Sequence, residues 1–412
     1  MKLKVLFTFL AVAIMTMATL PLKAQQKEAY VVVSNNGTMI TFYYDLQKAN
    51  REGTVCQIEG TSPAWIGTLT KPNTQIVTAE FDKSFQEYRP KRTWRWFFNC
   101  SALKEIKGME NLNTSETTEM VGMFSGCKAL TSLNLSKFDT SMADNINNMF
   151  MECEALTSLD LSNFNTEKVT SMSYLFAGCK ALESLDLSSF NTKNVRTMGD
   201  MFAGCANMTK IDVTFLNTES VSDMKGMFSG CSKLTSIDLS KFNTERVSRM
   251  NAMFKGCKSL TAIDLSTFKT TYVRNMDEMF FDCQNLTTLD LTKFDTRKTT
   301  SFDDMFGQCK ELNTIYCNDK WNCPDPNNKM FDGCEKLKGA VAYNKNSTGG
   351  VMANPETGYF TRKTSDGIAS QTTSHIATIK AIYSASGQKL NELQRGLNIV
   401  RMSDGTMRKV LK

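Results

Sequence analysis

The sequence predicts an α/β solenoid, with a parallel β-sheet along one face and short helices along the other. Three observations carry that prediction. Cys127, Cys153, Cys179, Cys205, Cys231, Cys257, Cys283 and Cys309 stand 26 residues apart, with Cys100 one residue out of step before them and Cys334 one residue short after them. Around Leu159, Asp160 and Leu161, apolar and polar residues alternate, the period of a strand with one buried face. In "VTSMSYLFAGCKAL" the residues Val169, Met172, Leu175, Phe176, Cys179 and Leu182 recur at steps of three or four, the period of a helix with one apolar stripe. Each repeat, M-F-x-G-C-x-x-L-T-S-L-D-L-S-x-F-N-T-x-x-V-x-x-M-x-x, is then one strand, a turn at "FNT" and one short helix. None of these buries its apolar side alone, so the units must stack.

The elements follow in chain order. Residues 1–24 have a basic start (Lys2, Lys4), an apolar run from Val5 to Leu20 and Ala24 before polar residues, the layout of a cleaved secretory signal. Loss of Lys2, Lys4 and Lys23 would lower the formal charge from +6 to about +3, too little to argue for nucleic acid. Residues 28–75 hold two β-rich runs around Asn35-Asn36-Gly37, a hairpin signal, and are expected to cap the first coil. The array proper runs over 76–335, with roughly eleven parallel strands spanning about 50 Å. Glycines and a proline break the period in 336–363, the expected second cap. A polar linker, 364–375, leads to a small β tail at 376–412 with Ser-Gly and Asp-Gly turns.

The repeated cysteines read as core. A nucleophilic cysteine needs a base, usually histidine, and His375 is alone in the linker. Zinc sites pair cysteines two to four apart or use histidine. A buried free cysteine behaves as a small hydrophobe, which is favoured here over disulfides between ladder members and over a metal. Met172, Met198, Met224, Met250 and Met276, with the phenylalanines from Phe150 to Phe306, read as core for the same reason. Cys317 and Cys323, in "YCNDKWNC", lie off the ladder and are candidates for a disulfide.

Function, if the sheet carries it, belongs on the outward positions. Alternation turns Asn134, Asp160, Asp186, Asp212, Asp238, Asp264 and Asp290 outward as an acidic column, whose like charges should repel unless serines, water or a cation offset them. Departures from the repeat at Lys210, Thr214, Phe215, Leu216 and Tyr316 mark a candidate patch. The Asn-Thr pairs, such as Asn165-Thr166, are expected to satisfy backbone groups at the turn. No enzyme motif of the G-x-S-x-G, H-E-x-x-H or phosphate-loop type is present, so no catalytic residue, cofactor or metal is assigned.

"LTSLDLSNFNT" followed by M-F-x-G-C-x-x-L is similar to the BspA-like bacterial leucine-rich repeat surface proteins over residues 76–360. Phe138 and Phe164 stand where better-known leucine-rich repeats have asparagine, so the detailed turn geometry does not carry over. The resemblance implies a leucine-rich-repeat-like solenoid at the surface of host-associated bacteria that binds host matrix or surface proteins, or glycans. The tail, "IYSASGQKL" then "RGLNIVRMSDGTMRKVLK", resembles a shortened type IX secretion sorting domain without its upstream Pro-Asn-Pro segment. The expected reading is a secreted or cell-surface recognition protein with no membrane span after signal cleavage. The alternatives are an envelope hydrolase with its site in a cap and a purely structural surface protein.

Overall fold

A hairpin begins the first of two compact units, Met1–Lys363 and Thr364–Lys412. The computed structural model describes residues 26–58, 60, 62–363, 379–384, 388–392, 394, 397–402 and 407–411; the expected signal, the expected linker and His375 lie outside the described residues. Strands β1 (Glu28–Val33) and β2 (Met39–Asp45) pair antiparallel about the Asn-Asn-Gly turn. Asn36 shapes that turn, its Oδ1 accepting from the Thr38 amide at 3.1 Å, with Gly37 at φ 71°. β3 (Thr54–Gln57) adds antiparallel to β1, whereas β4 (Thr78–Phe81) and β5 (Glu105–Lys107) add parallel beyond β2. The five-stranded order β3-β1-β2-β4-β5 therefore grafts the hairpin onto the first coils. Its buried face ends on Phe42, whose ring lies 4.5 Å from Phe81, 5.3 Å from Trp96 and 5.6 Å from Phe97.

Beyond the first coils the chain repeats one path. Single parallel bridges link Arg92, Glu119, Asn145, Ser171, Thr197, Asp223, Arg249, Asn275 and Ser301, each to the next. The following segment is not a helix: the described residues contain no α-helix, only short 3-10 turns at Lys48–Asn50, Lys83–Glu87, Met109–Asn111 and Gly350–Met352. In the coil from Met198 to Cys205 the amides of Met198, Asp200, Phe202 and Gly204 donate to the next coil at 2.6 to 3.0 Å. The alternate amides of Met201, Ala203 and Cys205 close turns onto the residue three before, at 3.1 to 3.2 Å. Asp200 (φ 55°) and Gly204 (φ 73°) each hold the third place of a turn at positive φ, as a type II turn requires. A left-handed residue every fourth position interrupts the right-handed backbone that an α-helix needs. Paired turns still bring Met198, Phe202 and Cys205 inward, which is why the spacing imitated a helix.

The continuous parallel sheet is also corrected. At the "SLDLS" position strands form only near the two ends of the array, β4 and β5 at its start and β6 (Thr288–Asp290) and β7 (Thr314–Tyr316) at its end, where β8 (Phe360–Thr361) adds parallel to β7. The coils between keep the inward alternation, with Leu187, Val213, Leu239 and Leu265 buried, yet carry no strand there. Their backbones meet through isolated long contacts, such as Thr157 N to Thr131 O at 3.5 Å. Buried threonines hold the register instead. The Thr166 hydroxyl donates to Asn191 O at 3.0 Å and accepts from Asn191 N at 2.8 Å, and Thr140 and Thr218 do the same one coil on. The Asn-Thr pairs thus serve backbone groups, as the sequence predicts.

The core is a set of stacked columns. The rings from Phe124 to Phe306 follow one another at 5.7 to 5.9 Å and within 11° of parallel. At the far end Trp321 lies 5.3 Å from Phe302 and 5.0 Å from Phe360, sealing the last coil. The second unit is an antiparallel sheet of β9 (Ile379–Ser384), β10 (Lys389–Leu390), β11 (Leu397–Met402) and β12 (Met407–Leu411), in the order β10-β9-β11-β12. Among the described residues no helix is long and apolar enough to cross a membrane.

Candidate functional site

The outward column is where the sequence places it. Asn134, Asp160, Asp186, Asp212, Asp238 and Asp264 are exposed and Asp290 is half-buried. Each turns one Oδ1 back onto its own chain: the amides two residues on, from Ser136 to Thr292, donate to it at 2.9 to 3.1 Å. This is an Asx turn repeated once per coil. The Ser162 hydroxyl and amide hold Asp160 below the usual carboxylate range, and the Ser188 amide and hydroxyl do so for Asp186. Hydrogen-bond donors supplied by the coil therefore favour the charged carboxylates and counter their like-charge repulsion. Asp290 differs: burial pushes it up, but the Lys363 ammonium at 2.5 Å and the Thr292 donors outweigh that and leave it lowered. Lys363 also lies 5.8 Å from the Tyr316 ring, so Asp290, Tyr316 and Lys363 form one group at the C-terminal end.

The departures from the repeat divide. Leu216 is buried in the phenylalanine column between Phe190 and Phe242, and so is structural. Lys210 is exposed, and the Phe215 ring is 51% exposed where neighbouring coils carry Ser189 and Lys241. The Thr214 hydroxyl donates to Asp212 at 2.6 Å.

The ladder cysteines are core, whereas Cys56 is half-buried. Those from Cys127 to Cys309 are fully buried, and each thiol donates to the carbonyl of a phenylalanine in the preceding coil, as Cys179 does to Phe150 O at 3.1 Å. Burial pushes the Cys257 and Cys309 thiols up to about 12, so the nucleophilic thiolate is not populated. The expected disulfide is not formed; Cys317 and Cys323 are both free. The Cys317 thiol donates to Asp319 O at 3.5 Å while Cys323 packs against Gly350, and Trp321, between them in sequence, is buried in the core. Among the described residues no group of three or more His, Cys, Asp or Glu is placed to hold a metal.

A cleft that the repeat pattern does not signal opens beside the first coil, with a volume of about 570 Å³. Tyr88, Trp94 and Trp96 supply its aromatic lining, and Lys91, Arg92 and Glu119 its charges. Tyr88 ends the Lys83–Glu87 turn, its amide on Phe85 O at 3.0 Å and its ring 5.4 Å from Tyr44. Trp96 is anchored in the core beside Phe42, and its carbonyl accepts from Trp65 Nε1 at 2.7 Å. Arg95, at φ 56°, lays its guanidinium 4.7 Å from the Trp94 ring and 4.6 Å from Phe98. Lys91 pairs with Glu116 at 2.5 Å and Arg92 with Glu119 at 3.5 Å. The available signal was "YRPKRTWRWFF", residues 88–98, with four cations, five aromatics and no carboxylate.

Residues 92–212, 145–261 and 222–344 match the family described as "Mycoplasma protein of unknown function, DUF285". The matches together cover residues 92–344, more than half of the chain. The chain belongs to that family. Successive matches begin 53 and 77 residues apart, close to two and three coils, so the family pattern engages the array in whole repeats. No curated protein matches the sequence.

Proposed function

We propose that this chain is an exported repeat protein that recognises a host or bacterial protein or glycan through its outward face. On this reading the array is a leucine-rich-repeat-like solenoid of the BspA type, and the tail directs it to the cell surface. The observation that carries the reading is the exposed Phe215, in the same coil as the exposed Lys210, where the neighbouring coils carry Ser189 and Lys241. Exposed aromatic residues are what interfaces use as anchors, and a lysine such as Lys210 belongs on the polar rim. The exposed aspartates from Asp160 to Asp264 play a supporting part, each spending one oxygen on its own turn, while the second oxygen of Asp290 is held by Lys363. Repeated weak contacts along such a face would add by avidity. An envelope hydrolase with paired carboxylates is less well supported, since Glu119 is the one carboxylate among the described residues lining the cleft and it is paired with Arg92.

The test is binding of the purified protein to immobilised matrix proteins and glycans, with the double variant Lys210→Ala, Phe215→Ala beside the parent. A loss of at least tenfold in affinity is expected. Unchanged binding by the double variant would remove this face.

A further inference from the structure

We propose that the cleft beside the first coil is a separate binding site for an acidic saccharide, a sugar ring bearing a carboxylate or sulfate. The site is independent of the Phe215 face.

Its size suits a short ligand, since about 570 Å³ lies within the roughly 300–1,000 Å³ of small-molecule sites. Its aromatic walls are packed from behind: Trp96 is tied into the hairpin core, Tyr88 packs at a tilt against the Phe85 and Tyr44 rings, and Arg95 covers part of the Trp94 indole, which favours aromatic surfaces set before a ligand arrives. Trp94 and Tyr88 remain half-buried, each leaving part of a ring to the cleft. Aromatic surface of this kind, apolar in body and wet at the rim, accepts the C–H face of a pyranose.

The charges narrow the class. Lys91 and Arg92 have side chains 73% and 71% exposed, and Arg92 meets Glu119 through Nε, leaving the Nη fork for a planar carboxylate or a sulfate. Glu119 is an acceptor and lines the same cleft. Ring hydroxyls can donate to it while the sugar's anionic group faces Lys91 and Arg92. A bare polyanion has no donors for Glu119 and would be repelled by it, whereas a sugar ring offers hydroxyl donors and an apolar C–H face together with its anionic group. In the middle coils the residues equivalent to Trp94 are Asn147, Ser173, Gly199 and Lys225, so no such aromatic wall recurs there.

The test titrates the full mature chain with a uronate oligosaccharide, a sulfated oligosaccharide and a neutral glucan of equal length, followed by tryptophan fluorescence and calorimetry. Binding of the uronate or the sulfated chain, at least tenfold tighter than the neutral glucan, is expected. Trp94→Ala should lower that affinity at least tenfold, and Arg92→Gln should lower it and flatten its salt dependence. Lys91→Gln serves as a second, surface-exposed variant should Trp94→Ala unfold, as judged by its thermal melt. Lys210→Ala, Phe215→Ala should bind the acidic saccharide as the parent does, so failure of the outward face and failure of the cleft are read separately. Equal affinity for the neutral glucan, tighter binding of a single-stranded oligonucleotide or a glutamate-rich peptide, or no saccharide binding would each overturn the proposal.

Discussion

The middle of the array and its N-terminal end solve the same packing problem differently. Between Phe124 and Phe306 each ring repeats the pose of its predecessor, and neighbouring coils contribute nearly the same surface. At the first coil Phe42, Trp65, Phe81, Phe85 and Trp96 meet at angles from 29° to 87°, because a hairpin of different shape must be fitted to a repeating surface. Repetition gives a uniform exterior and few concavities, while the mismatch at the end gathers large unlike side chains and leaves a cleft. Chemical individuality in this molecule is concentrated where the period fails.

The contrast can be broken most severely with two phenylalanines 13 residues apart. Phe202→Ala removes a fully buried ring from the column and should cost about 3–5 kcal/mol, read from chemical denaturation, whereas Phe215→Ala on the surface should change stability by less than about 0.5 kcal/mol. Comparable losses would show that the column does not bear the stability assigned to it. The next effect is on the turns. Gly204→Ala places a side chain at φ 73° and should cost about 1–2 kcal/mol, while Ala252→Gly, at φ 56°, should stabilise by a similar amount. If both variants destabilise, packing rather than backbone conformation governs that position.

A smaller effect is expected on the outward column. Asp186→Ala loses the acceptor for the Ser188 amide and should lower the thermal midpoint slightly, but Asp186→Asn keeps an acceptor and should leave it unchanged. Equal costs would point to charge instead of the turn. The smallest is a pH effect at Asp295, where hydrogen bonds from Arg297 hold the carboxyl at about 2 against an ordinary 3.8. The folded form binds this proton more weakly than the unfolded, so the stabilisation is complete above pH 3.8 and is lost as the pH falls through about 2. Thermal melts of Asp295→Asn should lack that part of the acid slope.

Much of this was legible in the residues. The cysteine and phenylalanine columns, the N-terminal hairpin and the role of the Asn-Thr pairs follow from spacing and turn chemistry. The helices were not legible, because steps of three and four arise equally from an α-helix and from paired turns. Only the backbone sign at Tyr174, Asp200 or Glu278, none of them glycine, separates the two. The sheet was over-read for a related reason: alternation reports which side chains turn inward, not whether neighbouring amides reach one another. The Asx turns make the outward aspartates partly structural, which a column of identical residues did not reveal. The cleft escaped because its residues, from Tyr88 to Trp96, lie where the repeat becomes degenerate, and Glu119 joins them only when the next coil closes.

The same donors in every coil have a consequence for the gene as well as for the fold. Met172 N bonds to Thr197 O and Met198 N to Asp223 O, so a chain lacking residues 197–222 would bring Met172 against Asp223 with every partner of the right kind. Whole coils can be inserted or excised without orphaning an amide, provided the hairpin and the Trp321 seal remain. Reach is thus a heritable quantity adjustable in steps of one coil, while the two ends keep their own identity.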